Sequence, residues 1–278
     1  VRGVLSLPNL CPPTNQQARH SPHLFFLHHS KQMTSNDTNV NVDILIIGGG
    51  IVGLSILHAL QSSSSHPSHS SPQSPSSPQY QCLLIERTSN LLNGASGRNS
   101  GILCTGVDAK PGTLERSCIR DSLTRLPQFL VEMNIPHRPC GSLVCTFDRN
   151  EESTESLEIL TEIVTESQKL GDAVRTVGRG ELHEMEPNLS LDVKGGLHIG
   201  GEIVVDPWLV GVALASSARE MGGVIETGWE YCAEETVLDT QEGVKGGGVW
   251  RAVCRSTGTG DGEGCVRQIR ARMIVNAT

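Results

Sequence analysis

Three glycines and one carboxylate are the residues of this 278-residue chain whose types and spacing most clearly suit a chemical task. Gly48, Gly50 and Gly53 follow the apolar run Val42 to Ile47, and Glu86 ends a second run, Cys82 to Glu86. In a Gly-x-Gly-x-x-Gly turn the first glycine permits a tight reversal, and the second lets backbone approach a pyrophosphate. The third lets the following helix pack closely on its strand. The helix N-terminus then offers amide donors and a positive dipole to phosphate oxygens. A carboxylate at the end of the next strand accepts the hydroxyls of an adenosine ribose. Together these residues predict a dinucleotide site. A glycine turn that serves packing alone is the blander reading, and it does not account for Glu86. The distance from Gly53 to Glu86 is longer than usual because residues 61–80 are almost all Ser, Pro, His and Gln. Such a segment cannot bury enough surface to fold, so it reads as a disordered insert on the edge away from the ligand.

The elements that must position these residues follow from pattern. Residues 42–47 read as a strand covered on both faces. Residues 51–60 read as a helix with Val52, Ile56 and Ala59 along one face, and 82–86 as a second strand. Further helices are expected over 118–133, 151–171 and from Asp206-Pro207 to about 221, the last with Asp as N-cap and Pro in the first turn. Strands are expected at 140–145 and 224–227. A hairpin is expected from 249–254 and 266–269, and a final buried strand at 273–277.

Which dinucleotide is bound turns on residues 94–101, Gly-Ala-Ser-Gly-Arg-Asn-Ser-Gly. A nicotinamide enzyme would run straight into another helix and strand. A longer flavin cofactor needs further donors, and this small polar loop supplies them; a flexible linker is the competing reading. From here the chain resembles a known superfamily. Gly97-Arg-Asn-Ser-Gly-Ile-Leu-Cys-Thr-Gly106 and Lys110-Pro-Gly-Thr-Leu114 are similar to the D-amino-acid-oxidase-like flavoproteins, nearest to L-2-hydroxyglutarate dehydrogenases and GlpA-type glycerol-3-phosphate dehydrogenases. The likeness continues through Cys140-Gly-Ser-Leu-Val144, Glu181-Leu-x-x-x-Glu-Pro187, Asp206-Pro207 and Ile274-Val-Asn-Ala-Thr278. It implies an α/β chain: a Rossmann-like FAD-binding domain from 42–105 and 203–278, with an α+β substrate-side segment, 106–202, inserted, and a disordered leader over 1–41. It implies FAD held by Gly48, Gly50, Ile51, Val52, Gly53, Glu86 and Arg87, with further contacts from Ser96, Asn99, Ser100 and Gly101. It also implies dehydrogenation of a small anionic alcohol, a 2-hydroxy acid or glycerol 3-phosphate, with electrons passed to a quinone or another acceptor. An amine or amino-acid oxidase of the same superfamily is the close alternative, and a non-catalytic fragment of such a flavoprotein is the reading from another class.

One departure concerns the reaction itself. Hydroxyglutarate-type members carry His where this chain has Cys104, and an aromatic pair where it has Asp108-Ala109. His titrates near neutrality and can take an alcohol proton, whereas Cys is a poorer base unless its pKa is lowered. No catalytic residue is therefore named.

Composition narrows the rest. A net charge of −8 argues against a nucleic-acid partner. No apolar run approaches the length that crosses a bilayer. Nine cysteines stand singly, with no Cys/His spacing that reads as a metal site, and most are expected to be buried small hydrophobes. His183 is expected on a surface helical turn, and the acidic stretch 151–166 on a solvated helix face. Residues 1–36 hold no Asp or Glu but carry Arg2, Arg19 and Lys31. They read either as a transit peptide or as sequence upstream of a start at Met33, so the compartment, cytoplasmic or mitochondrial, stays open. Val1 in place of Met, and a C-terminus one residue short of the Gly that the family carries after Asn-Ala-Thr, lead to the expectation of a partial chain.

Overall fold

The computed structural model describes residues 4–6, 39–65, 80–147, 153–240, 248–258 and 264–278. In chain order these form β1 (Val4–Ser6), β2 (Asn39–Ile47), α1 (Ile51–Ser65), β3 (Cys82–Glu86), a 3-10 turn (Ala95–Gly97), β4 (Ile102–Leu103) and α2 (Leu114–Glu132). Then come β5 (His137–Arg138), β6 (Ser142–Phe147), α3 (Ser153–Lys169), β7 (Val174–Gly178), α4 (Arg179–Met185), β8 (Val193–Ile199) and β9 (Ile203–Val205). The chain finishes with α5 (Pro207–Glu220), β10 (Val224–Thr227), β11 (Trp229–Thr240), β12 (Gly248–Ser256) and β13 (Val266–Asn276). The mixture of a parallel sheet with helices is the α/β class that the patterns predict. Two compact units divide the chain, one of residues 23–99 with 207–278, the other of 1–22 with 100–206.

The first unit is built on a six-stranded sheet ordered β10-β3-β2-β13-β12-β11. Its first four strands run parallel, and β13, β12 and β11 continue it antiparallel. Leu45, Ile47, Leu83 and Ile85 pack with Ala252, Cys254, Ile269 and Ala271 in one core. α1 packs against β2, β3 and α5. The sequence places the ladder strands well but misreads four details. β2 opens at Asn39, not Val42, because Asn39 and Asn41 still pair with β13 through Gln268 and Arg270. α1 runs five residues past Leu60, to Ser65, and Gln61 is fully buried with its Nε2 donating to Tyr80 O at 3.1 Å. The expected insert therefore begins inside a helix, while 66–79 lie outside the described residues. The buried face of α1 is Gly53, Leu54, Leu57 and Gln61, so Val52 and Ala59 point outward. Finally, the expected hairpin and the separate last strand are one meander: β11 was not foreseen, and β13 is continuous from 266 to 276. Its end is not buried. β12 accompanies β13 only as far as Ala271, and beyond that Met273 is exposed and Ile274 and Val275 half-buried.

A buried cation ties the meander to the parallel strands. Arg267 on β13 pairs with Glu226 on β10, and its guanidinium lies 4.4 Å from the ring centroid of Trp229. Burying a charge demands such partners.

The other unit carries a four-stranded antiparallel sheet, β1-β6-β8-β7, and a three-stranded one, β4-β9-β5. The leader was expected to be disordered through 41, yet Val4–Ser6 pair with Ser142–Val144; residues 1–3 and 7–38 lie outside the described residues. α2 starts four residues before the expected Cys118 because Thr113 caps it, its Oγ1 accepting from Arg116 N at 3.3 Å. α3, Ser153–Lys169, falls within the expected 151–171, and β6 is shifted two residues toward the C-terminus from the expected 140–145. Glu166 at the end of the acidic stretch is not simply solvated: its carboxylate lies 3.5 Å from the buried Arg116. His183 does sit on a short helix, α4, but with a buried Nε2.

Candidate cofactor site

The carboxyl ends of β2, β3 and β13 bring together the residues singled out from sequence, at the edge where ligands of parallel sheets bind. Gly48 follows β2 with φ +108°, a conformation open to glycine at little cost. A Cβ there would stand 2.9 Å from the carbonyl oxygen of Ala277, which itself is anchored by Ala277 N donating to Ile47 O at 2.9 Å. The Asn-Ala-Thr motif and the glycine turn are thus packed backbone to backbone. A Cβ on Gly53 would overlap the Gly48 carbonyl outright, so the turn closes on its own helix. Leu54 N donates to Gly50 O at 3.0 Å to complete the first turn of α1. The preceding amides in that turn, Val52 and Gly53, have no upstream carbonyl within the helix to accept from them.

Glu86 and Ser96 flank this turn from opposite segments. Glu86 Oε2 accepts from Gly49 N at 2.7 Å, and Oε1 accepts from Thr88 N and Thr88 Oγ1, each at 2.8 Å. Burial alone would raise its pKa. The Thr88 and Gly49 amides, the Thr88 hydroxyl and the charge of Arg87 outweigh burial, so Glu86 titrates below the usual range and is ionised at neutral pH. Three donors occupy three of the roughly four lone-pair positions of the carboxylate. Ser96 Oγ accepts from Ile51 N at 3.0 Å and would lie 3.1 Å from a Cβ on Gly50. Its hydroxyl hydrogen is left to donate elsewhere.

The loop that carries Ser96 is an ordered 3-10 turn, not a linker. Asn99 Nδ2 donates to Ala95 O at 3.2 Å and Ser96 O at 2.8 Å, so its amide braces the turn. Leu92, buried and with φ +59°, donates from its N to Gly49 O at 3.0 Å. Arg87 is exposed, and its carbonyl accepts from Thr257 Oγ1 at 2.6 Å. The structure therefore gathers Gly48, Gly50, Ile51, Val52, Gly53, Glu86, Arg87, Ser96 and Asn99 within one unit, while Ser100 and Gly101 belong to the other. Thr88 and Trp208 went unmentioned in the sequence. Thr88 had a legible signal, a hydroxyl two residues past a carboxylate; Trp208 had none.

A family model described as FAD dependent oxidoreductase matches residues 43–278. The chain belongs to this family. Among curated relatives, glycerol 3-phosphate dehydrogenase of Caloramator mitchellensis is 29% identical over 181 residues, which are 65% of this chain and 34% of that protein. The mitochondrial L-2-hydroxyglutarate dehydrogenase of Nematostella vectensis is 28% identical over 200 residues, 70% of this chain and 39% of that protein. Among solved structures, dithionite-reduced L-alpha-glycerophosphate oxidase from Mycoplasma pneumoniae with FAD bound superposes with a TM-score of 0.61 at 21% identity, covering 84% of this chain and 53% of that one. The chain thus spans well under half the length of these two curated relatives. The family is one of FAD-dependent enzymes, and the fold of this chain is theirs.

In the other unit, β4 pairs with β9 and delivers Cys104 to a short acidic segment. Thr105 N donates to Oε1 of the buried Glu202 at 3.3 Å. Cys104 is exposed at its surface, yet surrounding protein, then Glu202 and then Asp108, push its thiol up to about 11. Its Sγ donates to Ile102 O at 3.6 Å. The expectation that most cysteines are buried does not hold: among the described residues Cys82, Cys145 and Cys254 are buried, while Cys104, Cys118 and Cys265 are exposed. Lone cysteines inside apolar runs were legible as core; those on helix α2 and in loops were not. Among the described residues no His, Cys, Asp and Glu group could hold a metal ion, and no helix is long and apolar enough to cross a membrane.

Proposed function

We propose that residues 42–105 and 203–278 hold FAD for the oxidation of a small anionic alcohol, a 2-hydroxy acid or glycerol 3-phosphate. The observation that carries the cofactor assignment is the pairing of Glu86 and Ser96 on either side of the glycine turn. Glu86, ionised and with one acceptor position to spare, takes a ribose hydroxyl. The first-turn amides of Val52 and Gly53 take pyrophosphate oxygens, and Ile51 acts through Ser96, which accepts from its N and donates its own hydrogen to the phosphate. Any side chain on Gly50 would fill the space that lets a phosphate approach. Arg87 and Asn99 complete the set within this unit, Asn99 by bracing the turn. Bound FAD supplies the acceptor for a hydride equivalent.

The substrate class is supported by the relatives, whose names are those of enzymes for glycerol 3-phosphate and L-2-hydroxyglutarate. Electrons then pass to a quinone or another acceptor. Cys104 does not serve as the base for alcohol oxidation in this reading, since a thiol that titrates near 11 and donates to a carbonyl stays protonated at neutral pH. The test is direct. The purified protein should be yellow and release FAD on denaturation, and binding of NAD without flavin would overturn the cofactor reading. Under anaerobic conditions glycerol 3-phosphate or L-2-hydroxyglutarate should bleach the flavin band. Bleaching by amino acids alone would overturn the substrate class.

A further inference from the structure

We infer that Trp208 is a positioning residue for the cofactor: from α5 it fixes the 92–97 loop so that Ser96 Oγ stays on the amide of Ile51. This rests on the FAD reading above.

Two contacts one turn apart on α5 grip the loop. The Trp208 indole Nε1 donates to Gly97 O at 2.9 Å. The ring also occupies the space beside Gly97, where a Cβ would meet it at 2.9 Å and would run into Leu92 O as well. Three residues on, Gly211 leaves a notch filled by the Leu92 side chain, which would overlap any Cβ placed there. Residues at i and i+3 of a helix share a face, so the ring and the notch work together. Leu92 is 2% exposed and its N donates to Gly49 O. The loop is thereby held at one end by the glycine turn and at the other by the indole, with Ser96 between them.

The arrangement explains why an indole stands in a half-open position. Trp208 is 42% exposed, so core packing alone does not call for so large a ring. Its N–H, by contrast, has a specific carbonyl to hold. Burying a polar ring edge against a hydrogen-bond acceptor is how Trp combines a large contact area with orientation. Phe at 208 would keep most of the ring contact and lose the bond.

The test is a double-mutant cycle on binding of FAD and of ADP, read by calorimetry. Trp208→Phe should weaken both ligands about three- to tenfold, the size of one neutral hydrogen bond. In a Ser96→Ala background the same change should have no further effect, because its route to the ligand is gone. A general loss of packing would persist in that background, so an undiminished penalty there overturns the inference, as does unchanged binding in Trp208→Phe. Thermal melting of each variant identifies any that fails to fold, and Trp208→Phe, which keeps the ring, guards against that outcome. A wild-type chain that binds neither FAD nor ADP would take down the cofactor reading and this inference with it, a result distinct from tight binding that Trp208 does not influence.

Discussion

The glycine turn and the Cys104 segment use opposite materials. At the turn the tightest contacts are made by backbone: Gly48 against Ala277 and Gly53 against Gly48. Polar side chains enter as Glu86, Thr88 and Ser96, with Leu91 packed beside Gly49. Around Cys104 the backbone is an ordinary two-residue strand, and the character comes from side chains: a thiol, two carboxylates and Thr105. A site of backbone tolerates almost no added atom, yet is indifferent to what its neighbours are chemically. A site of side chains accepts changes of shape and responds to every change of charge.

The sharpest way to break that contrast is to add one methyl group to the turn. Gly53→Ala should destabilise the protein by at least about 3 kcal/mol, the upper part of the overpacking range, because the intruding atom meets backbone that cannot rotate away. A denaturant melt within about 1 kcal/mol of wild type would show that the turn yields. Next in size is Glu86→Gln. It should weaken FAD at least about tenfold, since bonds to a charged acceptor are worth about 1.5–3 kcal/mol each. The same change bears on pH. A carboxylate whose folded pKa is depressed contributes stability that is present above its unfolded value, about 4.3 for Glu, and lost as pH falls through the lower folded value. Acid melts of the two proteins should therefore diverge above that window and converge below it.

Smaller effects belong to the side-chain region. Despite its exposure, Cys104 should alkylate slowly at pH 8 and speed up toward about pH 11. Asp108→Asn or Glu202→Gln, by removing negative charge, should raise the rate at pH 8 a few-fold; mass spectrometry of the labelled peptide gives the answer, and unchanged rates would mean that burial alone sets the thiol. Smallest of all is Gly94→Ala. No atom lies within 4 Å of a Cβ there, so stability should stay within about 0.5 kcal/mol of wild type.

Much of the turn was legible because its signals are local. Gly48, Gly50, Gly53, Glu86 and Ser96 lie on or beside two strand ends that short apolar runs announce, and a run of four or five branched residues admits few other readings. Strands β3 and β10 came out at their observed limits for the same reason. What stayed hidden depends on distant partners. The buried face of α1 was misread because the helix presents a glycine, not a large apolar residue, to the turn, and periodicity gives glycine no weight. β11 alternates weakly and is half-exposed throughout, so only its pairing with β12 marks it as a strand. Trp208 looked like any aromatic residue near a helix start until Gly97 was seen beneath it.

The placement of β13 also sets a clock. It lies between β2 and β12, and its register joins Ile44 to Met273 and Ile47 to Asn276. Those partners emerge from the ribosome more than two hundred residues apart, the span that separates Asp43 from its partner Arg272 being 229. During synthesis β2 and β3 must wait with an unpaired flank while the whole other unit is made, and a sheet closed by such remote contacts forms slowly. The Gly48 turn gains its Ala277 neighbour only at the close of that interval. Until then β2, apolar and unpaired along one side, presents an open strand edge.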